Sequence, residues 1–269
     1  MTVRSALYVA AHRAEHLAKA LSTEADALVV ELEDGVPADA KRQARAAGAE
    51  FLATTATRRT EVRVNGFGTG LLLDDLRAVA PTGVAAVRVP KVQSVDDVRF
   101  VARLLEELGS DAGVVPILES AVGIAGAVEI ARAHERVVGI LMGEEDLKAD
   151  LGYGDRGLVA ARSAVVLAAR AAGLPAPLQS VWTRLGDEAG LRADCEDGRE
   201  LGFGGRSVIH PSQVAVVHEV YTPTDSEVAE ARAVLALAGR GGTVLADGQF
   251  VDDASVARAR RVLDAVAGR

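Results

Sequence analysis

The sequence is poor in cysteine and in aromatic residues. Among 269 residues there is one cysteine, and aromatic residues make up 3%. Cys195 has no partner for an intrachain disulfide, which favours a reducing compartment. The first apolar run, residues 6–11, is too short for a signal-peptide core or a membrane span. We therefore expect a cytoplasmic protein without a membrane partner.

Clustered charge of one sign is missing as well. The chain carries 30 basic and 38 acidic residues, for a formal net charge of −8, and neither sign forms a long block. Proteins that grip phosphate backbones normally present clustered Lys and Arg. The composition thus argues against a nucleic-acid partner, whereas 49% hydrophobic residues are enough for a sizeable buried core.

Eight short runs rich in Val, Ile and Leu recur along the chain, with helical patterns such as residues 95–108 between them. The predicted strands are residues 7–10, 27–32, 61–65, 86–90, 114–119, 137–142, 177–181 and 206–210. Eight βα units predict an α/β fold, the closed (β/α)8 TIM barrel, which takes roughly 250 residues. The alternative is an open doubly wound sheet, but no glycine fingerprint follows the first strand.

The pattern changes after His210. A helix is predicted to begin at residues 222–225 and to run through Leu237, and a last helix begins near Asp253. We assign residues 1–220 to a barrel that forms the catalytic domain and residues 221–269 to a C-terminal helical extension. Because an apolar helix outside a closed barrel has to cover something, we expect the extension to pack on a neighbouring subunit.

Polar residues end most of the predicted strands, where barrel enzymes carry their reactive groups. They are Glu33 and Asp34 after the second strand, Arg63 in the third, Arg88 and Lys91 at the fourth, Glu119 in the fifth and Asp146 after the sixth. Glu119 and Asp146 come from adjacent strands, and Mg2+ favours oxygen ligands while it keeps several waters. This pattern predicts a magnesium site. The alternative is that each carboxylate pairs with a nearby Arg or Lys.

The residues around this pair allow two roles each. Glu33 and Asp34 are predicted either to accept hydrogen bonds from metal-bound water or to form the turn after the strand. Arg63 is predicted to hold a substrate carboxylate bidentately, with an ion pair to Glu31 or Glu33 as the structural alternative.

Two further cations and two titratable residues complete the candidates. Lys91 is the one good candidate for Schiff-base chemistry, and Arg88 is a candidate for binding the phosphates of a thioester carrier. His210 is expected either to hydrogen-bond a loop carbonyl or to transfer protons. Cys195 lies among acidic residues, which raise the pKa of a thiol, so covalent nucleophilic catalysis is disfavoured.

Short motifs follow one another in order along the chain. They are residues 4–9, 32–36 with Lys41 and Arg45, 62–65, 90–92, 117–123, 143–147, 209–213 and 247–252. Together they resemble the citrate lyase beta-subunit-like branch of the HpcH/HpaI aldolase family. The resemblance extends from about Arg4 to about Leu263.

The resemblance implies roles for the residues at the strand ends. Mg2+ is expected on Glu119 and Asp146, and Arg63 on the carboxylate of a keto acid. Glu33 and Asp34 are expected behind the metal waters. The coenzyme A thioester, or an acyl carrier in its place, is expected near Lys91 and Arg88.

The resemblance also implies a homotrimer or hexamer in which the C-terminal segment reaches a neighbour's site. Asp252 is then an acid or base supplied in trans. Three positions depart from the family pattern: residues 10–13 read Ala-Ala-His-Arg where Pro-Gly or Pro-Ala is usual, Gln93 replaces a usual Glu, and Ser120 replaces a usual Thr. These departures concern the substrate and thioester pocket, so a carrier other than coenzyme A stays open.

The implied activity is that of a carbon-carbon lyase of the EC 4.1.3 type. Such an enzyme cleaves or forms a 3-hydroxyacyl thioester such as malyl-CoA or citramalyl-CoA, with a 2-keto acid and an acetyl or acyl thioester as the other partners. One alternative is a malyl thioesterase or malate-synthase-like activity, in which Asp252 directs water. The other is a citrate lyase beta-type subunit that needs acyl-carrier and transferase partners.

Overall fold

A computed structural model describes residues 3–57, 59–152, 154–238, 242–244 and 250–267. Eight parallel strands form a nearly closed barrel, which confirms the predicted fold. The strands are β1 (Ser5–Ala10), β2 (Ala27–Glu31), β3 (Thr60–Arg63), β4 (Ala86–Val89), β5 (Gly113–Leu118), β6 (Leu141–Met142), β7 (Leu178–Gln179) and β8 (Gly205–Val208). Two short strands, β9 (Thr243–Val244) and β10 (Phe250–Val251), pair antiparallel after the barrel.

Helices alternate with the strands and continue after the last of them. They are α1 (Ala14–Ala20), α2 (Lys41–Thr55), α3 (Leu72–Val79), α4 (Val95–Glu107), α5 (Ala121–Ala125), α6 (Ala127–Ala131), α7 (Glu144–Leu151), α8 (Leu158–Ala171), α9 (Glu188–Leu201), α10 (Ser212–Tyr221), α11 (Asp225–Ala236) and α12 (Asp253–Ala267). Capping boxes at Ser94 and Thr224 fix the starts of α4 and α11. Among the described residues, no helix combines the length and the apolar character needed to cross a bilayer.

Side chains alternate between the two faces of each strand, and both faces are buried. Val30 and Val62 pack in the core between strands and helices, whereas Val29 and Ile117 belong to the cluster inside the barrel. Every residue of β2, β4 and β5 is buried, which explains their unbroken apolar runs. The same alternation places Glu119, two residues after Ile117, on the inward side at the end of its strand.

The sixth and seventh strands are shorter than predicted. Residues 137–142 and 177–181 form strands only over Leu141–Met142 and Leu178–Gln179. Pro177 has no N–H for the ladder, and Val137 contributes an isolated bridge to Val114. Within the described chain β6 and β7 do not pair with each other, so the line between them is the seam of the barrel.

The C-terminal extension is helical, as predicted, and has a small core of its own. This core consists of Ala231, Val234, Val251, Val256 and Ala259 from α11, β10 and α12. Residues 247–249 of the last family motif lie outside the described residues. The boundary between residues 220 and 221 and the packing of the extension on a neighbour remain predictions.

Candidate active site

A cavity of about 710 Å³ opens at the carboxyl ends of the strands. Asp34, Arg63, Glu119, Asp146 and His210 all line it, although they come from five different strand ends. This is the end of the barrel at which enzymes of this architecture bind their substrates. The fold therefore gathers most of the predicted site residues into one space.

Lys91 lies between the carboxylates that the sequence singles out. Its Nζ is 3.3 Å from Glu119 Oε2, 3.3 Å from Asp146 Oδ1 and 3.4 Å from Glu33 Oε1. The Lys91 backbone has a φ of 56°, a left-handed conformation that is uncommon for a residue with a side chain. Its backbone N–H also donates to Glu119 Oε2 at 3.2 Å. Three carboxylates thus converge on one cation.

The charge on Lys91 bears on the Schiff-base alternative. Burial lowers its pKa, but Glu119, Glu33 and Asp146 raise it by more, so the net shift is upward. A Schiff-base lysine needs a depressed pKa to be a neutral nucleophile at neutral pH. The site therefore keeps the Lys91 amine protonated, which disfavours Schiff-base chemistry.

Glu119 shows that the site is short of positive charge. Burial raises the pKa of its carboxyl to about 7; Lys91 opposes the rise, while Glu33 and Asp146 add to it. A carboxylate that is buried among other carboxylates is stabilised in its ionised form by a further cation. The electrostatics therefore favour a bound metal ion next to Glu119.

The donor set fits magnesium rather than a fully protein-ligated metal. Within the described part of the chain, no group of three or more His, Cys, Asp or Glu side chains is arranged to hold an ion. Glu119 and Asp146 nevertheless face the same cation, and two carboxylates are the number from which Mg2+ is commonly held, with water and substrate oxygens completing its octahedron. These two residues would hold the ion.

Gly143 makes room for the first of these carboxylates. A Cβ at this position would lie 2.3 Å from Glu119 Oε1, closer than any side chain tolerates. Gly143 directly precedes α7, which carries Asp146. Sequence reasoning included this glycine in a family motif but gave no physical reason for it.

Arg63 makes the structural ion pairs and also lines the cavity, while its role in binding a substrate carboxylate stays a prediction. Its Nε donates to Glu31 Oε2 at 2.5 Å, and its Nη1 lies 3.0 Å from Glu33 Oε2, so the structural ion pairs exist. Its guanidinium also stacks over the Tyr8 ring at 5.3 Å and lines the cavity. The ion pairs orient the planar group at the cavity wall.

Glu33 and Asp34 follow β2 and differ in exposure. The Glu33 side chain is 6% exposed and that of Asp34 is 62% exposed. Lys41 Nζ donates to the carbonyl oxygens of Leu32 at 2.8 Å and Glu33 at 2.6 Å, which fixes this turn from α2. Only Asp34 of the two is open to solvent and substrate.

Arg88 does not lie where the sequence suggested. It points into the barrel interior, is 2% exposed and is not part of the cavity lining. Its Nε donates to Glu61 Oε2 at 2.5 Å and its Nη1 to the Tyr8 hydroxyl at 2.8 Å. Because these donors are already engaged, the geometry is against Arg88 as a ligand of the thioester carrier.

His210 and Asp252 have local partners. Ser212 donates its backbone N–H to His210 Nδ1 at 3.2 Å, which leaves Nε2 as the protonated nitrogen of the neutral ring. Asp252 caps α12, because its Oδ1 accepts from the N–H and hydroxyl of Ser255 at 2.8 and 2.9 Å. Asp252 is not part of the cavity lining within this chain.

Three basic residues that line the cavity were not predicted from the sequence. Arg13, His16 and Lys19 line it from the start and one face of α1. Their spacing of three residues, directly after the first strand, is the signal that would have identified them. Arg13 and Lys19 bring positive charge to a cavity that the acidic residues Glu119 and Asp146 also line.

Two of the departures from the family pattern contact each other. Gln93 Nε2 donates to Ser120 Oγ at 3.3 Å, and Ser120 in turn caps α5 by accepting from the N–H of Gly123. Neither Gln93 nor Ser120 is part of the cavity lining. These two departures therefore lie outside the cavity.

Comparison with known proteins decides the family. Residues 4–211 match the sequence profile described as HpcH/HpaI aldolase/citrate lyase. The chain belongs to this family. A citrate lyase subunit beta-like protein from Deinococcus radiodurans is 38% identical, over 97% of this chain and 96% of its own length. A (3S)-malyl-CoA thioesterase from Cereibacter sphaeroides is 36% identical, over 97% of this chain and 93% of its own.

Solved structures agree in fold over most or all of the chain. Protein CitE from Mycobacterium tuberculosis, in complex with magnesium, acetoacetate and coenzyme A, superposes with a TM-score of 0.85 at 34% identity and covers 100% of this chain and 99% of its own. The citrate lyase beta subunit from M. tuberculosis, complexed with oxaloacetate and magnesium, gives a TM-score of 0.72 at 34% identity, over 82% of this chain and 98% of its own.

Proposed function

We propose that the protein is a Mg2+-dependent carbon-carbon lyase that cleaves, or forms, a 3-hydroxyacyl thioester such as malyl-CoA or citramalyl-CoA. The observation that carries this proposal is that the carboxylates of Glu119 and Asp146 converge on the ammonium group of Lys91 at the carboxyl ends of the strands. Family membership supports the reaction class, and the magnesium and coenzyme A named for the M. tuberculosis structure support the cofactor and the thioester.

Glu119 and Asp146 hold the metal in this proposal. Bound Mg2+ supplies positive charge where oxygen charge develops during cleavage, an effect worth several kcal/mol of barrier in characterised enzymes. The Glu33 carboxylate lies 3.4 Å from Lys91 Nζ and accepts hydrogen bonds from the water around the metal site.

Arg63 binds the carboxylate that becomes part of the 2-keto acid. Its side chain is 16% exposed, and Glu31 and Glu33 fix the orientation of the guanidinium. A planar group with a preset orientation recognises a carboxylate bidentately at little entropic cost. Substrate orientation is thus built into the third strand.

Arg13 and Lys19 bind the anionic part of the thioester carrier. They line the cavity from α1, at its entrance, and a coenzyme A phosphate or a carrier's phosphopantetheine phosphate meets positive charge there. The proposal does not depend on Arg88.

Cleavage then needs a proton acceptor that the substrate hydroxyl reaches. Asp34 is the exposed carboxylate of the pair after β2. As it takes the hydroxyl proton, the carbinol carbon becomes the carbonyl of the 2-keto acid, and the electrons of the broken carbon-carbon bond form a thioester enolate. The same proton returns to the enolate carbon and gives the acetyl or acyl thioester.

Hydrolysis of the thioester is the second candidate function. The 36% identical relative named a (3S)-malyl-CoA thioesterase favours it. In this version the chain forms a homotrimer or hexamer in the cytoplasm, and Asp252 of a neighbouring subunit directs a water at the thioester carbonyl. A requirement for acyl-carrier and transferase partners would place the chain with the citrate lyase beta subunits instead.

The test is a product analysis with purified protein, Mg2+ and malyl-, citramalyl- and citryl-CoA. Keto acid and free thiol are measured separately. Keto-acid release without thiol supports the lyase, whereas thiol release supports the thioesterase. Failure on every thioester, with activity restored by an acyl-carrier protein, would replace the stand-alone enzyme by the partner-dependent subunit.

A further inference from the structure

A buried ion pair lies next to the seam of the barrel. Glu144 is the first residue of α7, and Gly143 alone separates it from β6. Arg162 of α8 grips its carboxylate with two hydrogen bonds, from Nε to Oε1 and from Nη2 to Oε2, each 2.8 Å long. Glu144 is 7% exposed and Arg162 is 8% exposed. Glu144 also lines the cavity, so the pair is a bidentate fork, largely buried, at the cavity wall.

The pair continues into a chain of alternating charges. Arg162 Nη1 lies 3.0 Å from Asp194 Oδ1 on α9, and Arg206 Nη2 on β8 lies 2.7 Å from Asp194 Oδ2. The backbone N–H of Glu144 donates across the seam to Ser180 Oγ at 3.4 Å. Side chains therefore link the two sides of the barrel where β6 and β7 lack a shared ladder.

We propose that Arg162 is a positioning residue, which fixes Glu144 and through it aims Asp146 at the metal site. This inference rests on the proposed function. Asp146 is two residues after Glu144 in the same helix, roughly 200° around the axis at about 3.6 residues per turn. A small rotation of α7 would therefore carry the Asp146 carboxylate away from Glu119, and the fork on Glu144 prevents that rotation.

Buried ion pairs add little to stability when they are compared with apolar side chains of similar volume. A purely structural pair is therefore replaceable without functional loss, whereas a positioning pair is not. This difference separates the two roles. The variant that tests it is the double substitution Glu144→Leu with Arg162→Met, because it removes both charges of the fork together, while Asp194 keeps its ion pair with Arg206.

The experiment measures Mg2+ binding by isothermal titration calorimetry on the full-length protein. We expect the double variant to bind Mg2+ about tenfold or more weakly, the size of loss seen when partners behind metal ligands are removed. Arg162→Lys, which keeps the charge but lacks the fork, should be intermediate. Arg192→Ala is the control, because Arg192 on α9 pairs with Glu219 on α10 at the surface, at 2.7 Å.

Folding is checked in the same samples through Trp182, the single tryptophan of the chain. Its ring lies 5.6 Å from the Arg206 guanidinium, so its fluorescence reports on the end of the charge chain. If the double variant does not fold, Arg162→Lys decides the question alone. Wild-type Mg2+ affinity in a folded variant would overturn the positioning role but leave the proposed function intact. Absence of Mg2+ binding by the wild type would overturn both.

Discussion

Lys91 Nζ lies 3.3 Å from Glu119 Oε2 and 3.3 Å from Asp146 Oδ1, so one ammonium group bridges the end of β5 and the start of α7. The left-handed backbone at Lys91, with a φ of 56°, holds it in this position. Conformations of this kind cost of order 1–3 kcal/mol and cluster at functional sites. The bridge marks the point at which the two carboxylates can share a cation.

Neutral analogues of the two carboxylates should lose the metal. We expect Glu119→Gln and Asp146→Asn to weaken Mg2+ binding at least about 100-fold, because each removes one of two charged ligands. Titration calorimetry measures the loss, and circular dichroism verifies the fold. Glu129→Gln, on an exposed position of α6, is the matched control. Wild-type affinity in either site variant would remove that residue from the metal site.

Arg63 should control keto-acid recognition. Arg63→Lys keeps the positive charge beside Glu31 but loses the planar fork. In the condensation direction we expect the KM for the keto acid to rise about 10–100-fold, which corresponds to roughly 1.5–3 kcal/mol for hydrogen bonds to a charged group. The KM for the acyl thioester should change much less. Equal effects on both substrates would contradict the assigned role.

The basic face of α1 should govern affinity for the thioester carrier. Arg13→Ala and Lys19→Ala are each expected to raise the KM for a coenzyme A thioester roughly 5–10-fold at low ionic strength, and the difference should shrink in salt. Arg42→Ala, at an exposed position of α2, controls for a general loss of charge. A KM that is insensitive to both substitutions would place the carrier elsewhere.

Asp26 should set the acid limit of stability at the other end of the barrel. Burial raises the pKa of its carboxyl, but hydrogen bonds from His218 and Arg4 lower it further, so the net shift is downward. A carboxyl whose pKa is depressed by folding stabilises the native state above its unfolded pKa of about 3.9, and this contribution is lost as the pH falls through the folded value.

Asp26→Asn should therefore lower the free energy of unfolding by about 1–3 kcal/mol at pH 7. The difference from the wild type should narrow below about pH 4, because the Asp26 carboxyl then becomes protonated in the unfolded chain while it is still charged in the native protein. Urea denaturation at pH 7 and at pH 3 measures both values. A difference that is constant over this range would show that the ion pair does not contribute through its charge.

The fold was predictable because strand and helix patterns alternate eight times and each strand is buried on both faces. The short β6 and β7 were not predictable, since hydrogen bonding at Val137 and Pro177 depends on neighbours that the sequence pattern does not specify. The sequence pattern shows where an apolar run lies. The length of the strand depends on which neighbouring backbone groups form hydrogen bonds with it.

Most of the candidate site was also predictable, because barrel chemistry sits at strand ends. Arg88 does not line the cavity, because it is two residues after Ala86, which faces the barrel interior, and it pairs with Glu61 on the adjacent strand. Arg13 and Lys19 were not predicted, because the sequence does not show which residues of a helix after the first strand face the cavity. Ion pairs between strands, such as Arg88 with Glu61, form only when the strands are assembled in the barrel, so the sequence alone does not show them.

The most direct test of the account is metal-dependent keto-acid release from malyl-CoA or citramalyl-CoA. The purified protein is treated with EDTA, assayed, and assayed again after Mg2+ is restored, with Asp146→Asn measured alongside. We expect activity to vanish with EDTA, to return with Mg2+ in the wild type, and to stay absent in the variant. Keto-acid release that persists in EDTA, or in Asp146→Asn, would contradict a lyase built on these two carboxylates.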